Sequence, residues 1–389
     1  MVAGSPETPS AARLYFGYAA LVAGSAAMLA AGYALPSATS KQIGALGLLL
    51  SVLGLPLIFL SASVREAILR KSKHGLVGLL VATALFFAVG EIALRIVYAG
   101  GESFSTAAGP LVRRFQRDFR FNRYDGPSRG PEVSGPRSSD SVRVLVQGDS
   151  ITWGQGVRDE RLLFTSVLLD ALRRTNPRAE MAVLARPGRE IDGHLEQLRK
   201  WGQEVSPDVI IYLWYVNDME LDKSRRPRAT RPWRRFFFHR PLAEQSYFWF
   251  LLDFVLDQRL PSNRQPYSEY IVENFGEGTD GMRKFVEVFD AWAAEAKRLT
   301  PRVVVALYPD GGPPSWNAEV MRIHDRLAEL CHSRSIEALP LDVALGAFGD
   351  EPGRLRATRF DEHPSAAAHA AIGEALLAKL EERWPELVR

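Results

Sequence analysis

Cysteine is nearly absent: the 389 residues include a single one, Cys331. That excludes an intramolecular disulfide framework and any cysteine-rich zinc site. It leaves an extracytoplasmic location open, with stability resting on the core. Histidine is also scarce, at seven copies. No His/Asp/Glu cluster has ligand spacing, so neither a metal nor another cofactor is expected. An excess of one charge sign is missing too, with 48 Lys+Arg against 45 Asp+Glu. The first hundred residues hold seven basic and three acidic side chains, which leaves 41 and 42 downstream. Without a global positive field, nucleic acid is not an expected partner. At 47% hydrophobic and 10% aromatic residues, disorder is excluded for most of the chain.

Charge is missing altogether from two long stretches. None lies between Arg13 and Lys41, where Leu14 to Leu35 is mostly Ala, Leu, Val and Gly, nor between Lys41 and Arg65, around Ile43 to Leu60. A third apolar stretch, Gly75 to about Ala99, is interrupted only by Glu91 and Arg95. Crossing a bilayer takes roughly 20 apolar helical residues, so residues 1–100 are expected to form an anchor of three transmembrane helices. The first run is longer than a signal peptide needs, follows a poorly basic start and precedes two more runs, so it is read as retained. Arg65, Arg70, Lys71 and Lys73 crowd the second loop, which the positive-inside bias assigns to the cytoplasm. Everything after residue 100 is then expected outside, on the periplasmic or extracytoplasmic face of the plasma membrane. Glu91 and Arg95, spaced i, i+4, read as a mutually paired couple near the outer end of the third helix.

Residues 101–140 are rich in Gly, Ser, Pro and Arg and read as a linker and lead-in that partly packs. From 141 to 389 short apolar runs alternate with helical periodicity. Strands are expected over Val142–Gln147, Met181–Ala185, Asp208–Val216, Val303–Tyr308 and Ala338–Val343. Helices are expected over Leu162–Leu172, His194–Val205, 281–299, 318–333 and Ser365–Arg383. Such alternation implies an α/β doubly wound parallel sheet with helices on both faces. An irregular insertion, about 221–280, interrupts it. There Arg225, Arg226, Arg228, Arg231, Arg234, Arg235 and Arg240 surround Trp233 and Phe236 to Phe238. It reads as a membrane-interface patch, as a groove for an anionic or sugar substrate, or as a packed lid with solvated arginines.

In sheets of this kind, sites lie beyond the carboxyl ends of the strands. The first strand runs into Gln147-Gly148-Asp149-Ser150, the second into Arg186-Pro187-Gly188 and the third into Val216-Asn217-Asp218. Asp361-Glu362-His363-Pro364 precedes the last helix. A serine nucleophile needs a base, a carboxylate to orient it and donors for the oxyanion. Ser150 fits the nucleophile, His363 the base and Asp361 the orienter. The backbone N–H groups of Ser150 and Gly188 and the amide of Asn217 fit the oxyanion hole. His369 reads as a partly buried helix residue, and no carboxylate partner is apparent for His194 or His324.

These blocks resemble the SGNH hydrolase superfamily, the GDSL esterases and lipases, whose Ser, Gly, Asn and His correspond to Ser150, Gly188, Asn217 and His363. The segment from Phe121-Asn122-Arg123-Tyr124 to Ser128-Arg129-Gly130-Pro131-Glu132 is similar to the lead-in of bacterial membrane-anchored members. The resemblance implies a flavodoxin-like three-layer sandwich with a five-stranded parallel sheet, no metal, and acyl-ester chemistry. Two positions depart from the pattern. Ile151 stands where Leu is usual, and the usual Asp-x-x-His places Phe360 where the carboxylate belongs, leaving Asp361 as orienter and Glu362 as the fallback. The expected function is a membrane-anchored serine esterase acting on O-acyl, chiefly acetyl, esters of a cell-envelope glycan or related metabolite. An O-acyltransferase working with a membrane acyl-donor protein, a non-catalytic glycan-binding scaffold, and a lipase acting on the bilayer are the competing readings.

Overall fold

Five apolar runs form one parallel sheet in the computed structural model: β1 (Arg143–Gly148), β2 (Glu180–Ala185), β3 (Val209–Trp214), β4 (Val303–Leu307) and β5 (Glu337–Pro340). The described residues are Ala84, 87–96, 122–222 apart from 125–128, 134, 136 and 139, 245–259, and 266–388 apart from 313, 314, 350, 359 and 360. Strand order is β2-β1-β3-β4-β5, the doubly wound arrangement expected from the alternation. β1 and β3 are adjacent and in register from Val144↔Val209 to Gly148↔Leu213, so their carboxyl ends finish level.

Alternating side chains of these strands serve two cores. Leu145, Ile210, Tyr212, Trp214 and Val305 pack with α2 (Ile191–Val205), α3 (Asp280–Leu299) and α4 (Ala318–Ser333). The other face is covered by α1 (Phe164–Thr175), which packs on β2 and pairs with α5 (Ala366–Arg383). Three layers result. Three strands are shorter than expected, the fourth by one residue and two others by more. The third stops at Trp214 because Val216–Met219 turns off as a 3-10 helix, and the fifth stops at Pro340, with Asp342 already starting a short helix. Proline has no N–H to continue a ladder.

The lead-in packs on the edge strand. Asn122 Nδ2 donates to Val183 O at 2.9 Å, and Val183 N donates to Pro131 O at 3.0 Å, covering the open side of β2. Arg143, buried at the start of β1, bonds Glu180 at 2.7 Å and the carbonyls of Val205 and Gly135.

Contacts divide the chain into two units, Met1–Gly100 with Ala229–Arg264, and Gly101–Arg228 with Gln265–Arg389. The second holds the sheet. In the first, the insertion expected to be irregular forms a helix, Tyr247–Arg259, packed on the helical segment 87–96. Glu91 Oε2 accepts from Ser246 Oγ at 2.8 Å and from Phe248 N at 2.9 Å, so it caps the insertion helix. Arg95 bonds Glu91 at 2.7 Å, as its spacing led us to expect, and also donates to Gln245 O at 2.9 Å. Another insertion helix, Tyr267–Phe275, belongs to the sheet-bearing unit. The runs Leu14–Leu35 and Ile43–Leu60, the basic loop at 65–73 and the arginines at 225–240 lie outside the described residues. Among the described residues no helix is long and apolar enough to cross a membrane.

Candidate active site

The turn leaving β1 is built for close approach. A Cβ on Gly148 would stand 2.9 Å from Leu213 O and collide with Thr152, so only glycine fits there. Asp149 then caps the four-residue helix Ser150–Trp153 by accepting from Ile151 N at 3.0 Å, and Gly154 ends it in a left-handed conformation. Ser150 is thereby held at the carboxyl edge of the sheet, 8% exposed.

His363 arrives from an antiparallel hairpin that sequence periodicity did not reveal. Its strands are β6 (Arg356–Thr358) and β7 (Asp361–Pro364), and Ser365 caps α5 directly after it by accepting from Ala368 N. His363 Nε2 lies 3.0 Å from Ser150 Oγ, and Nδ1 lies 2.6 Å from Asp361 Oδ1. The carboxylate therefore accepts a hydrogen bond from Nδ1–H, which keeps the proton on Nδ1 and leaves Nε2 as the acceptor facing the serine. Asp361 Oδ1 also accepts from His363 N at 3.1 Å, which shows how an Asp-x-His spacing reaches the ring within one extended strand. Glu362, the fallback orienter, points away: its side chain is 81% exposed and pairs with Arg356.

Asn217 Nδ2 donates to Asp149 Oδ2 at 2.8 Å, and the same oxygen stands 3.1 Å from Ser150 Oγ. One buried carboxylate thus joins the serine turn to the asparagine turn. An amide nitrogen carries two hydrogens, so one remains for a developing oxyanion. Gly188 sits in the turn after β2 with φ +70, and that turn is tied to the serine turn by Arg186 N donating to Gly148 O at 3.2 Å. The structure therefore brings Ser150, Asp361, His363 and Asn217 together, with Gly188 in a turn hydrogen-bonded to theirs.

Several supporting residues have no signature in the sequence. Asp218, fully buried, accepts from Tyr215 N at 3.1 Å and from Tyr212 Oη at 2.9 Å, fixing the turn that presents Asn217. Burial pushes its carboxyl up to about 6. His194, expected to have no carboxylate partner, stands 3.8 Å from Asp218 Oδ1; the pair forms only when α2 packs on β3. His369 is fully buried rather than partly, stacks on Phe164 and accepts from Phe164 N; burial pushes its imidazole down to about 3. Gln155, from the loop after the serine helix, places its amide 3.2 Å from His363 Nδ1. Arg129 of the lead-in, fully buried, holds that loop by donating to the carbonyls of Gly154, Val157 and Arg158 at 2.8–3.0 Å. Among the described residues no group of His, Cys, Asp and Glu could hold a metal ion.

Residues 146–371 match the model of the GDSL-like lipase/acylhydrolase family, which spans every block described above. The chain belongs to this family. As a GDSL-family member it is a serine hydrolase of the esterase/acylhydrolase kind. Among solved structures it is similar to TesA (14% identity, TM-score 0.40, covering 62% of this chain and 98% of TesA). An acetyl xylan esterase, AlAXEase, aligns at 14% identity and TM-score 0.40 over 61% of this chain and all of its own. A family two carbohydrate esterase from Clostridium thermocellum, solved with cellohexaose, aligns at 13% identity and TM-score 0.38, covering 65% of this chain and 67% of that one. No curated protein matches the chain.

Proposed function

We propose that the chain is a membrane-anchored esterase that removes O-acyl groups, chiefly acetyl, from a cell-envelope glycan through an acyl-enzyme on Ser150. The observation that carries the chemistry is the continuous line Ser150 Oγ–His363–Asp361, with steps of 3.0 and 2.6 Å. Ser150 Oγ attacks the ester carbonyl as its proton passes to His363 Nε2, and Asp361 stabilises the imidazolium. The oxyanion is met by the N–H groups of Ser150 and Gly188 and by the free amide hydrogen of Asn217. Collapse breaks the ester C–O bond, and His363 returns the proton to the departing sugar oxygen. Water, deprotonated by His363, then attacks the acyl-serine, releasing the acid and restoring Ser150. A sugar hydroxyl in place of that water would make the same site an acyltransferase; hydrolysis needs no donor partner.

Anchoring rests on the two uncharged runs and on the segment 87–96, where Val89, Ile92 and Ile96 are left exposed beside the Glu91–Arg95 pair. The basic residues at 65–73 support an extracytoplasmic location for the sheet-bearing unit, with envelope glycans and the lipid surface as its proposed partners. The test uses the full chain in detergent micelles. It is expected to hydrolyse p-nitrophenyl acetate, and Ser150→Ala is expected to lower kcat on the order of a thousandfold or more. A variant that keeps full activity would falsify the nucleophile assignment.

A further inference from the structure

A cluster of hydroxyls and a carboxylate lies along the same sheet edge, beyond Asn217, and has no part in the steps above. Tyr215 follows β3 directly, two residues before Asn217, and Tyr308 follows β4 directly. Tyr308 N donates to Trp214 O at 3.0 Å, which sets the two tyrosines side by side, with ring centroids 6.0 Å apart and edge to face. Tyr215 Oη donates to Asp310 Oδ1 at 2.7 Å. That bond aims the carboxylate, and among the described residues Oδ2 accepts no hydrogen bond. The Tyr308 hydroxyl bonds no described residue, although the ring is half-buried. Burial holds both phenols above their usual range, so they remain protonated donors at neutral pH. Arg356, which pairs with Glu362 at 3.2 Å on the hairpin that carries His363, also acts on the Tyr308 phenol.

Spacing tells what such a cluster could hold. β1, β3 and β4 are consecutive in the sheet, and neighbouring strands lie about 4.8 Å apart. Tyr308 and Asp310 therefore leave the sheet roughly 10 Å from the exit that carries Ser150, about one sugar ring beyond an ester carbonyl held there. Two aromatic rings with a half-committed carboxylate suit a neutral ring bearing several hydroxyls: the carboxylate accepts, the phenol donates or accepts, and the ring faces offer apolar contact. At the Tyr308 phenol the charges of Arg356 and Asp310 act in opposite senses, so the cluster presents no single charge sign to an ionic ligand.

We propose that Tyr215, Tyr308 and Asp310 form a subsite for the uncharged sugar ring that carries the scissile ester, setting the enzyme's preference for glycan esters over simple ones. This rests on the esterase reading for the role of the ring, but binding can be measured without turnover. The full chain carrying Ser150→Ala is titrated in detergent with methyl 6-O-acetyl-glucopyranoside. Tyr308→Phe, which removes one oxygen, and Asp310→Asn, which keeps an acceptor for Tyr215, are each expected to raise Kd about tenfold, the effect of one lost hydrogen bond. In the active chain, the ratio of kcat/KM for the sugar ester to that for p-nitrophenyl acetate is expected to fall by a similar factor. No binding by the Ser150→Ala chain, Kd shifts below twofold, or equal losses on both esters would overturn the subsite. A chain that binds the sugar ester with these shifts yet turns over neither ester contradicts the esterase reading and leaves the subsite standing.

Discussion

Ser150 has one hydroxyl proton and two acceptors within reach, His363 Nε2 at 3.0 Å and Asp149 Oδ2 at 3.1 Å. Only the first allows the oxygen to become a nucleophile, because imidazole can take the proton and pass it on. Asp149 has a different task, joining Ser150 to the Asn217 amide so that attacking atom and oxyanion donor keep one geometry. The tautomer of His363 depends on Asp361, buried and 2.6 Å from Nδ1, whereas Glu362 lies in solvent. Asp361→Asn is accordingly expected to lower kcat on p-nitrophenyl acetate by on the order of a hundredfold or more, by favouring the wrong tautomer. Glu362→Gln should stay within about twofold of the parent. Steady-state kinetics on the two variants check the pair, and equal losses would move the orienting role off Asp361.

Elements differ in how openly the sequence declares them. The strands at 143–148, 209–214 and 303–307 are largely apolar runs, and the helices at 280–299 and 318–333 carry clear periodicity; these were legible. Ser150 and Asn217 were legible as well, each just past the end of such a strand, and His363 just ahead of the last helix. The β6–β7 hairpin was not, because strands of three and four residues are too short to show a period. Nor were Gln155 and Arg129, whose roles exist only through contacts made at the far side of the fold. The insertion helix was hidden for a related reason: its capping carboxylate, Glu91, lies 155 residues before Ser246. Phe87 and Phe248 rings stand 4.7 Å apart, and a Cβ on Gly90 would come within 2.6 Å of Phe248. With Phe87→Cys and Phe248→Cys, a short bis-maleimide is expected to bridge the two positions in the full chain, and Glu91→Ala to reduce the yield severalfold. Mass spectrometry of the bridged peptides reads the outcome. The native Cys331 does not interfere, since it is buried and its thiol is pushed up to about 12.

At the scale of the whole molecule, three buried titratable groups among the described residues make stability depend on pH. Burial pushes His324 down to about 4 and His369 to about 3, from 6.5, so on unfolding below pH 6.5 both take up protons. Asp218 works in the opposite sense: raised from 3.8 to about 6, it holds a proton in the folded state that the unfolded chain releases. Between pH 4 and 6 the three together give a net uptake of one proton on unfolding, so they make stability rise with pH by about 1.4 kcal/mol per unit. His324→Gln removes one of the two uptakes and is expected to cut the slope by about that amount, read from melts at pH 4.5 and 6; an unchanged slope would contradict the assignment. The same packing that buries these groups brings residues 149–150, 217 and 361–363 to one edge of one sheet, and the proposed chemistry depends on that convergence. The most direct measurement is mass-spectrometric mapping of a fluorophosphonate adduct on the full chain, which reports an activated serine without any knowledge of the substrate. We expect a single adduct, on Ser150, lost in His363→Ala. A native chain that remains unlabelled, or labelling of Ser150 that persists undiminished without His363, would contradict the account.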